Sequence, residues 1–484
     1  MERRWPVVAD DHMEYTRMAR LSLIDASFVL FETRATPMHV GGLIEVEPDS
    51  PDYADRLFDH LMAAEQVHAP FNRVLHFGPG LWPSWRRRSR LNLSQHLFRH
   101  HLDDHGGEHQ LQRLLESIHS QQMDRRKPLW ECHLIEGLPK GMVAVYVKIH
   151  HACADGMKLS ALMQQMLSAD PKSAVSPAFW QFSKQRHRSP NPTLKLAYDF
   201  AHTLYHQVQE LPNLAKLTGK LFSRAFYPSI SRLPIPFTAE RTLFNQGPDS
   251  ERVIAWGGLP LSSIRRISQF TGASINEVVL AVCDAALHQY LIEHQHPSDK
   301  PLVAIMPVNM KGEGDTRDNH FSPALIELGR RQNQPTERLK EIMISSRQIK
   351  HEAKSFSPTA FMNLSVVTNA LMLLIGRLGL DTKLPAISNL IISNVPGPKE
   401  QRYLYGAAIR AITPFSLLLP GQSLNITMFS YDGQLNIGIA ACHSALADAD
   451  KLIPYINKAL TALELDLLNV TLELANREKD LRLQ

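Results

Sequence analysis

The chain has little cysteine, and its cysteines stand far apart. The 484 residues contain four of them: Cys132, Cys153, Cys283 and Cys442. No two form a CxxC pair, so the spacing offers neither a paired zinc-ligand motif nor a dithiol redox motif. Scattered cysteines of this kind are typical of a reducing compartment, and we expect free thiols and a cytoplasmic protein.

A strong charge of one sign is also missing. Lys and Arg together number 52 against 48 Asp and Glu, which leaves a net charge of +4 at neutral pH. So small an excess provides no general basis for binding nucleic acid, and we expect none. The composition, 44% hydrophobic and 21% charged, is that of a globular protein. The length exceeds what one core usually supports, so we expect two domains.

The third thing lacking is a long, uninterrupted apolar run. The best candidate, residues 356–380, is interrupted by Pro358, Asn363, Asn369 and Arg377. This pattern favours a buried or groove-lining helix over a membrane span. The first residues carry charges and no continuous apolar core, so we do not expect a signal peptide.

Short apolar runs bounded by turn residues alternate with helical patterns along the chain. Residues 143–149 predict a strand, and residues 276–294 have apolar side chains three and four apart, which predicts a helix. Residues 424–431 and 435–440 flank Asp432-Gly433-Gln434, a good hairpin signal. The expected architecture is therefore mixed α/β.

The middle of the chain differs in character from both ends. Residues 171–248 are rich in proline, basic and aromatic residues, and the stretches 194–210 and 214–226 look amphipathic. This composition favours helices packed on the body of the protein, with a surface that contacts a membrane or lipid droplet as the alternative. We predict an N-terminal domain (1–175), a helical linker region (176–248) and a C-terminal domain (249–484).

Two histidines follow the predicted strand at 143–149. His150 and His151 are succeeded by Asp155 and Gly156, after which a helical pattern starts. An imidazole at a strand end is held rigidly and can accept a proton near neutral pH. Asp155 is close enough to orient the ring or lock the loop, and Gly156 permits a positive φ at the turn. From these residues alone, a catalytic base and an ordinary structural histidine both remain open.

The segment from His150 to Gly156 matches the HHxxxDG motif of CoA-dependent acyltransferases and peptide-synthetase condensation domains. Over nearly its full length, the chain more specifically resembles the bacterial wax ester synthase/diacylglycerol acyltransferase family. Several further blocks in the family's order carry this resemblance. They are residues 21–28 (LSLIDASF), 37–43 (PMHVGGL), 123–131 (MDRRKPLWE), 275–281 (INEVVLA) and 393–398 (SNVPGP).

The resemblance implies a fold and an activity. The fold would be two CoA-dependent acyltransferase-like α/β domains, each with a mixed sheet flanked by helices and with the motif at their interface. The activity would be transfer of a fatty acyl group from acyl-CoA to a long-chain alcohol or a diacylglycerol, with no metal or other cofactor. Such an enzyme would be cytoplasmic, with peripheral contact to the inner membrane or to lipid inclusions as a further expectation.

The resemblance also suggests roles for individual residues. His151 is predicted to be the general base, while His150 shapes the site and Asp155 stabilises the loop through an ion pair. Asn276 is predicted either to donate a hydrogen bond to the oxyanion or to act as a helix N-cap. The remaining motif residues are expected to bind substrate or support the site: Gly156, Glu277 (where the family usually has aspartate), Pro128, Leu129 and Trp130.

Other features of the sequence are open to different interpretations. Cys153 lies inside the motif but is expected to be a bystander. The crowded histidines at 96, 100, 101, 105 and 109 favour a solvated loop over a metal site, and the run Arg86–Arg90 favours a solvated face over a contact with CoA phosphates or anionic lipid. A condensation-type enzyme that uses another acceptor or a carrier-bound donor is the alternative function, and a non-catalytic lipid-binding protein is a third.

Overall fold

The computed structural model describes residues 16–78, 82–103, 107–154, 156–172, 177–182, 237–247, 249–309, 321–355, 374–380 and 383–483. Most of the predicted linker, including its two amphipathic stretches, lies outside these residues. Most of the apolar segment 356–380 and the motif residue Asp155 lie outside them as well.

Fifteen strands and eight α-helices are assigned within the described residues. The strands are β1 (Thr16–Arg20), β2 (His39–Glu47), β3 (Arg73–Phe77), β4 (Pro83–Arg87), β5 (Leu97–His101), β6 (Trp130–Glu136), β7 (Val143–His150), β8 (Arg252–Pro260), β9 (Val303–Asn309), β10 (Phe321–Glu327), β11 (Leu390–Val395), β12 (Tyr403–Leu404), β13 (Ala407–Phe415), β14 (Leu424–Tyr431) and β15 (Gln434–Cys442). The helices are α1 (Leu23–Phe31), α2 (Tyr53–Ala63), α3 (Gly107–Ser120), α4 (Gly156–Met166), α5 (Leu261–Thr271), α6 (Ile275–Glu293), α7 (Pro335–Ser355) and α8 (Leu452–Leu483).

The described strands form two mixed six-stranded sheets and one small sheet. The first large sheet has the order β12-β13-β2-β7-β6-β5, and the second has the order β10-β9-β11-β14-β15-β8. The small sheet has the order β1-β4-β3. Within the large sheets, β5 runs parallel to β6, and β11 runs parallel to both β9 and β14. The expectation of mixed sheets flanked by helices is confirmed.

Strand β7 lies inside the first sheet and is covered on both faces. All eight of its residues are buried. Val145 and Val147 belong to an apolar cluster with residues of α2 and α4, whereas Tyr146 packs with α3 and with Ile254 and Phe415 from the second half of the chain. A strand buried on both faces reads in sequence as a nearly continuous apolar run, which is why it was predictable.

The first sheet is completed by strands from the second half of the chain. Strand β13 pairs antiparallel with β2, with Ile412 opposite Ile44 and Phe415 opposite Gly41. At Gly438 of β15, a Cβ atom would lie 1.8 Å from the carbonyl oxygen of Pro414 in β13. The two sheets therefore approach so closely that only glycine fits at this position. The division of the chain at 175 and 248 stays a prediction.

The predicted hairpin at 424–440 is confirmed. Strands β14 and β15 pair antiparallel, with Tyr431 opposite Gln434. The two residues between them, Asp432 and Gly433, have φ values of 42° and 78°. Positive φ at both central residues is the requirement of the tight turn that joins right-twisted strands.

One described helix is long and apolar enough to cross a membrane by length and composition. It is α6, and 72% of its apolar window is buried inside the molecule. Val278, Leu280 and Leu287 are almost fully buried in the core of the second half. Its apolarity is therefore accounted for by core packing.

Candidate active site

The histidine loop, residues 150–154, is held by neighbouring strands and turns. The N–H of His150 donates to the carbonyl of Leu129 at 3.0 Å, and the N–H of His151 donates to the carbonyl of Met38 at 2.8 Å. Cys153 donates its N–H back to the carbonyl of His150 at 2.8 Å, and helix α4 then begins at Gly156. Both histidines are thus tied to blocks that the resemblance had singled out.

His150 is almost fully buried, at 1% exposure. Its Nδ1 accepts a hydrogen bond from the N–H of Ala152 at 3.1 Å, and its Nε2 lies 3.7 Å from Oε1 of Glu32. A neutral imidazole has one acceptor and one donor nitrogen. Because Nδ1 is the acceptor, the network assigns the ring proton to Nε2, on the side of the Glu32 carboxylate. Nδ1 is thus occupied, whereas Nε2 makes no hydrogen bond among the described residues and faces the Glu32 carboxylate in the protein interior.

Glu32 is a candidate site residue that the sequence analysis did not single out. Its side chain is 2% exposed, and Oε1 accepts the N–H of Met38 at 3.0 Å. Arg125 donates to Oε2 through Nε at 3.1 Å and Nη2 at 2.7 Å. Burial raises the pKa of this carboxyl, but interactions with His150, Met38 and Arg125 outweigh that effect and lower the pKa to about 2. A permanent buried anion therefore faces His150.

Helix α1 covers both histidines. Ser22 caps its N-terminus by accepting the N–H of Asp25 at 3.1 Å. Phe28, within the helix, lies against the ring of His151 with a centroid distance of 4.2 Å, and Glu32 is the C-cap. The side chain of His151 is partly exposed, in contrast to the buried ring of His150. In the sequence, Glu32 directly follows the short apolar run 28–31, and an acidic residue in that position is ordinarily solvated.

A buried polar layer lies on the same face of β7 as His150. Lys148 is fully buried, and its Nζ donates to the carbonyls of Ile118 at 2.7 Å and Gln121 at 2.6 Å. His39 contributes Nε2 to a 2.8 Å hydrogen bond with the carbonyl of His119. Burial is the main cause that lowers the pKa of both histidines, and the charge of Lys148 is the next. The pKa of His39 falls well below its usual value, and the pKa of His119 falls to about 3. These histidines stay neutral and secure the end of α3 against the sheet.

The Pro128-Leu129-Trp130 block supports the histidine loop from below. Leu129 supplies the carbonyl that holds His150 and packs in a cluster with Ala152. Trp130 is buried, stacks on His96 with a centroid distance of 4.5 Å, and donates its indole N–H to Phe71 at 2.9 Å. Pro128 is also buried, which leaves the block in the protein interior.

His96 is therefore a packing residue, one member of the crowded histidine region. His100 hydrogen-bonds His133 at 3.0 Å, and His105 lies outside the described residues. In the part of the chain that the structure describes, no group of three or more His, Cys, Asp and Glu side chains is placed to hold a metal ion.

The Asn276-Glu277 pair begins helix α6 in the second half of the chain. The N-cap is Ser274, whose Oγ accepts the N–H of Glu277 at 3.3 Å, while the Glu277 carboxylate accepts the N–H of Ser274 at 2.7 Å. The alternative role of Asn276 as an N-cap is wrong, because this reciprocal capping box already begins the helix. Glutamate at this position has the length to reach back to the cap.

Asn276 instead contacts another of the blocks. Its Oδ1 accepts a 2.8 Å hydrogen bond from Nδ2 of Asn394 in β11. Strand β11 contacts helix α4, and Val395 packs against the cluster that contains Ala154 and Leu159. Asn394, the partner of Asn276, thus lies on a strand that contacts α4, the helix that follows the histidine loop.

Cys153 gives a first prediction. Its thiol packs against apolar clusters, and burial, followed by the charge of Asp25, raises its pKa to about 12. The thiolate that a nucleophile requires is therefore scarce at neutral pH. We expect Cys153→Ala to retain most of the acyltransferase activity and the wild-type thiol to react slowly with iodoacetamide. Near-complete loss of activity in this variant, together with an acyl thioester on the wild-type protein, would contradict the bystander role.

Comparison with known proteins identifies this fold. Among solved structures, the first condensation domain of the calcium-dependent antibiotic synthetase matches 93% of this chain and 97% of its own, with a TM-score of 0.59 and 13% identity. At that identity the likeness concerns the fold alone. The wax ester synthase/diacylglycerol acyltransferase from Marinobacter aquaeolei VT8 is more similar, with a TM-score of 0.74 and 29% identity over 92% of this chain and 99% of its own.

The two-sheet fold is the one shared by the wax ester synthase/diacylglycerol acyltransferase and the condensation-domain structures. Residues 21–279 match the wax ester synthase/diacylglycerol acyltransferase catalytic domain, and residues 318–464 match the C-terminal domain of the same family. The chain belongs to this family and is an O-acyltransferase.

Its relatives include proteins similar over almost their whole length. The O-acyltransferase WSD of Acinetobacter baylyi is 32% identical over 456 residues, which is 92% of this chain and 97% of the relative. A probable diacylglycerol O-acyltransferase of Mycobacterium tuberculosis is 31% identical over 448 residues, 91% of this chain and 97% of the relative. The family named from the motif blocks is thereby confirmed.

Proposed function

We propose that this O-acyltransferase moves a fatty acyl group from acyl-CoA to the hydroxyl of a long-chain alcohol or a diacylglycerol, with His151 as the general base. The observation that carries the assignment is the contrast within the histidine pair. The ring of His150 is buried, with Nδ1 occupied by the N–H of Ala152 and Nε2 turned inwards to Glu32. His151 is partly exposed, and its backbone N–H donates to the carbonyl of Met38.

The chemistry requires one proton to move twice. His151 removes the hydroxyl proton as the oxygen attacks the thioester carbonyl, which forms the new C–O bond. The C–S bond then breaks, and the imidazolium returns the proton to the departing CoA thiolate. Electrons and protons balance without an oxidant or reductant, so the proposed reaction takes acyl-CoA as a substrate and calls for no redox cofactor.

The other motif residues are proposed to position these groups. Asn276, whose Oδ1 is engaged by Asn394, retains an amide N–H₂ group that is suited to stabilise the oxyanion or to hold the two halves together. Gly156 starts helix α4 directly after the loop, and Asp155 is proposed to stabilise that loop. Glu277 stabilises the start of its helix through the capping box. Pro128, Leu129 and Trp130 pack beneath the histidine loop, and Leu129 holds it through a backbone hydrogen bond.

The proposed cellular location of the enzyme follows from the solubility of its substrates. Long-chain alcohols and diacylglycerols partition into lipid, whereas acyl-CoA approaches from water. We propose a cytoplasmic enzyme that works in peripheral contact with the inner membrane or with lipid inclusions, with the predicted domains at 1–175 and 249–484 flanking the site.

The proposal is tested with purified full-length protein and palmitoyl-CoA. Thiol release is followed spectroscopically, and lipid products are separated by thin-layer chromatography, with hexadecanol in one arm and a diacylglycerol in the other. We expect thiol release to depend on the acceptor and to match ester formed. Absence of thiol release with every hydroxyl acceptor would overturn the proposal, and activity confined to carrier-bound donors or amine acceptors would establish the condensation-type alternative.

A further inference from the structure

The hairpin formed by β3 and β4 carries exposed aromatic side chains at its end. Phe77 is the last residue of β3 and is 42% exposed, while Trp82, directly before β4, is 41% exposed. Phe77 is paired with Pro83 across the hairpin, so the two aromatic residues flank the same turn. Large aromatic side chains in such a position are typical of segments that enter the interface of a lipid layer.

The charge of this region is strongly one-sided. From residue 66 to residue 102 the sequence has no aspartate or glutamate. The same stretch contains six arginines: Arg73, Arg86, Arg87, Arg88, Arg90 and Arg99. Arg99 is engaged elsewhere, by Glu136 and Asp55, but Arg87 and Arg90 are exposed. An anionic lipid surface attracts basic residues of this kind.

The body of the hairpin rests on the active site, two residues further from the turn than Phe77. Leu75 and Trp85, which are paired across the strands, pack in one cluster with Ala152 of the histidine loop and with Phe28 of α1. The indole N–H of Trp82 is 3.4 Å from the carbonyl of Leu21, just before α1. The hairpin therefore connects its exposed aromatic end to the elements that cover His151.

We propose that the β3–β4 hairpin docks the enzyme on an anionic lipid bilayer, with Phe77 and Trp82 entering the interface and Arg87 and Arg90 contacting the headgroups. This inference rests on the proposed function, because the acyl acceptor is then a lipid taken from that surface. The aromatic pair favours a bilayer over the phosphates of CoA as the occupant, since phosphate binding by itself calls for no exposed apolar end. Docking brings the hairpin and helix α1, which lie over His151, to the bilayer that holds the acceptor.

The test compares vesicle binding by matched variants of the full-length protein. The vesicles contain phosphatidylcholine alone or with phosphatidylglycerol, and bound protein is measured by co-sedimentation at low and high salt. We expect the wild type to bind the anionic vesicles and to release with salt. The Arg87→Glu/Arg90→Glu variant should bind them at least about tenfold more weakly, and Phe77→Ser should weaken binding without changing its salt dependence.

The control variant makes one change of each kind on the second half of the chain. Arg265 and Phe270 lie on α5, where both are exposed and Phe270 is 61% exposed. Arg265→Glu/Phe270→Ser should bind anionic vesicles as the wild type does. Equal loss in this control, or no binding of the wild type to anionic vesicles, would overturn the docking proposal.

The activity of the same variants separates docking from catalysis. With a short, water-soluble alcohol and no vesicles, Arg87→Glu/Arg90→Glu should release thiol from palmitoyl-CoA with the wild-type kcat and KM. A raised KM for acyl-CoA with unchanged vesicle binding would assign the arginines to CoA and overturn docking. If no hydroxyl acceptor supports thiol release while hairpin-dependent vesicle binding persists, the proposed function fails and the docking surface stands.

Discussion

Replacement of His151 by alanine is expected to lower kcat for acyl transfer by about 10²- to 10⁴-fold, which is what a general base usually contributes. A hydroxyl is a poor nucleophile until its proton is removed, and no other described imidazole in the histidine loop is in a position to do so. His150 accepts the N–H of Ala152 at Nδ1 and directs Nε2 towards Glu32. The measurement is thiol release from palmitoyl-CoA with hexadecanol at saturating substrate.

The matched control for this substitution is His109→Ala. His109 is an exposed residue of α3, so it undergoes the same change in side chain without touching the loop. We expect the control to keep wild-type kcat and both variants to keep wild-type circular dichroism. KM for acyl-CoA should change little in His151→Ala, because proton removal acts in the transition state. Activity of His151→Ala close to that of the wild type would refute the proposed base.

The second large effect is expected from Glu32→Gln, which removes the buried anion beside His150. The pKa of Glu32 is lowered to about 2 from its usual 4.5. A carboxyl whose pKa falls on folding stabilises the folded state above its unfolded pKa, and this contribution is lost as the pH falls. The shift corresponds to roughly 3 kcal/mol of stability at neutral pH, which disappears between about pH 5 and about pH 2.

Urea unfolding across this pH range measures the effect. At neutral pH, Glu32→Gln should unfold at lower urea than the wild type, and the difference should narrow as the pH falls from about 5 towards about 2. Glu65→Gln is the control, because Glu65 is exposed on the surface. A difference in unfolding free energy that stays constant across this range would contradict the buried-anion role.

Glu32→Gln should also affect catalysis through the histidine loop. The Glu32 carboxylate accepts the N–H of Met38 and faces the ring of His150. Met38 in turn accepts the backbone N–H of His151. Displacement of a reacting group by about 1 Å can cost on the order of 10²-fold in rate, so we expect kcat to fall by about 10- to 100-fold. Under conditions where the variant is fully folded, unchanged kcat would limit Glu32 to a stabilising role.

Local signals in the sequence predicted much of the fold. The buried strand β7, the helix α6 and the hairpin around Asp432-Gly433 each follow from a pattern of fewer than twenty residues. The capping box of α6 was also readable, because Ser274 and Glu277 have the S-x-x-E spacing. Asn276 was considered as the cap instead, and the structure corrects this because the serine two residues earlier already performs that role.

The site itself required the tertiary structure. No spacing in the sequence indicates that Glu32 lies 3.7 Å from His150, more than a hundred positions away, or that Arg125 completes the pair. An acidic residue after an apolar run is ordinarily solvated. Its burial follows from α1 lying across the end of β7, an arrangement set by long-range packing.

The sequence by itself determined the family, the histidine pair and most of the regular elements, because motifs and periodicity are local properties of the chain. Only the tertiary structure decided how the two halves combine. Strand β13 completes the first sheet beside β2, and Asn276 meets Asn394. The pairing of distant strands depends on burial of matching faces and on close approach at Gly438, and the tautomer of His150 depends on partners that folding brings to it. Burial of His150, with Nδ1 occupied and Nε2 facing Glu32, is the physical reason for assigning the base to the second histidine.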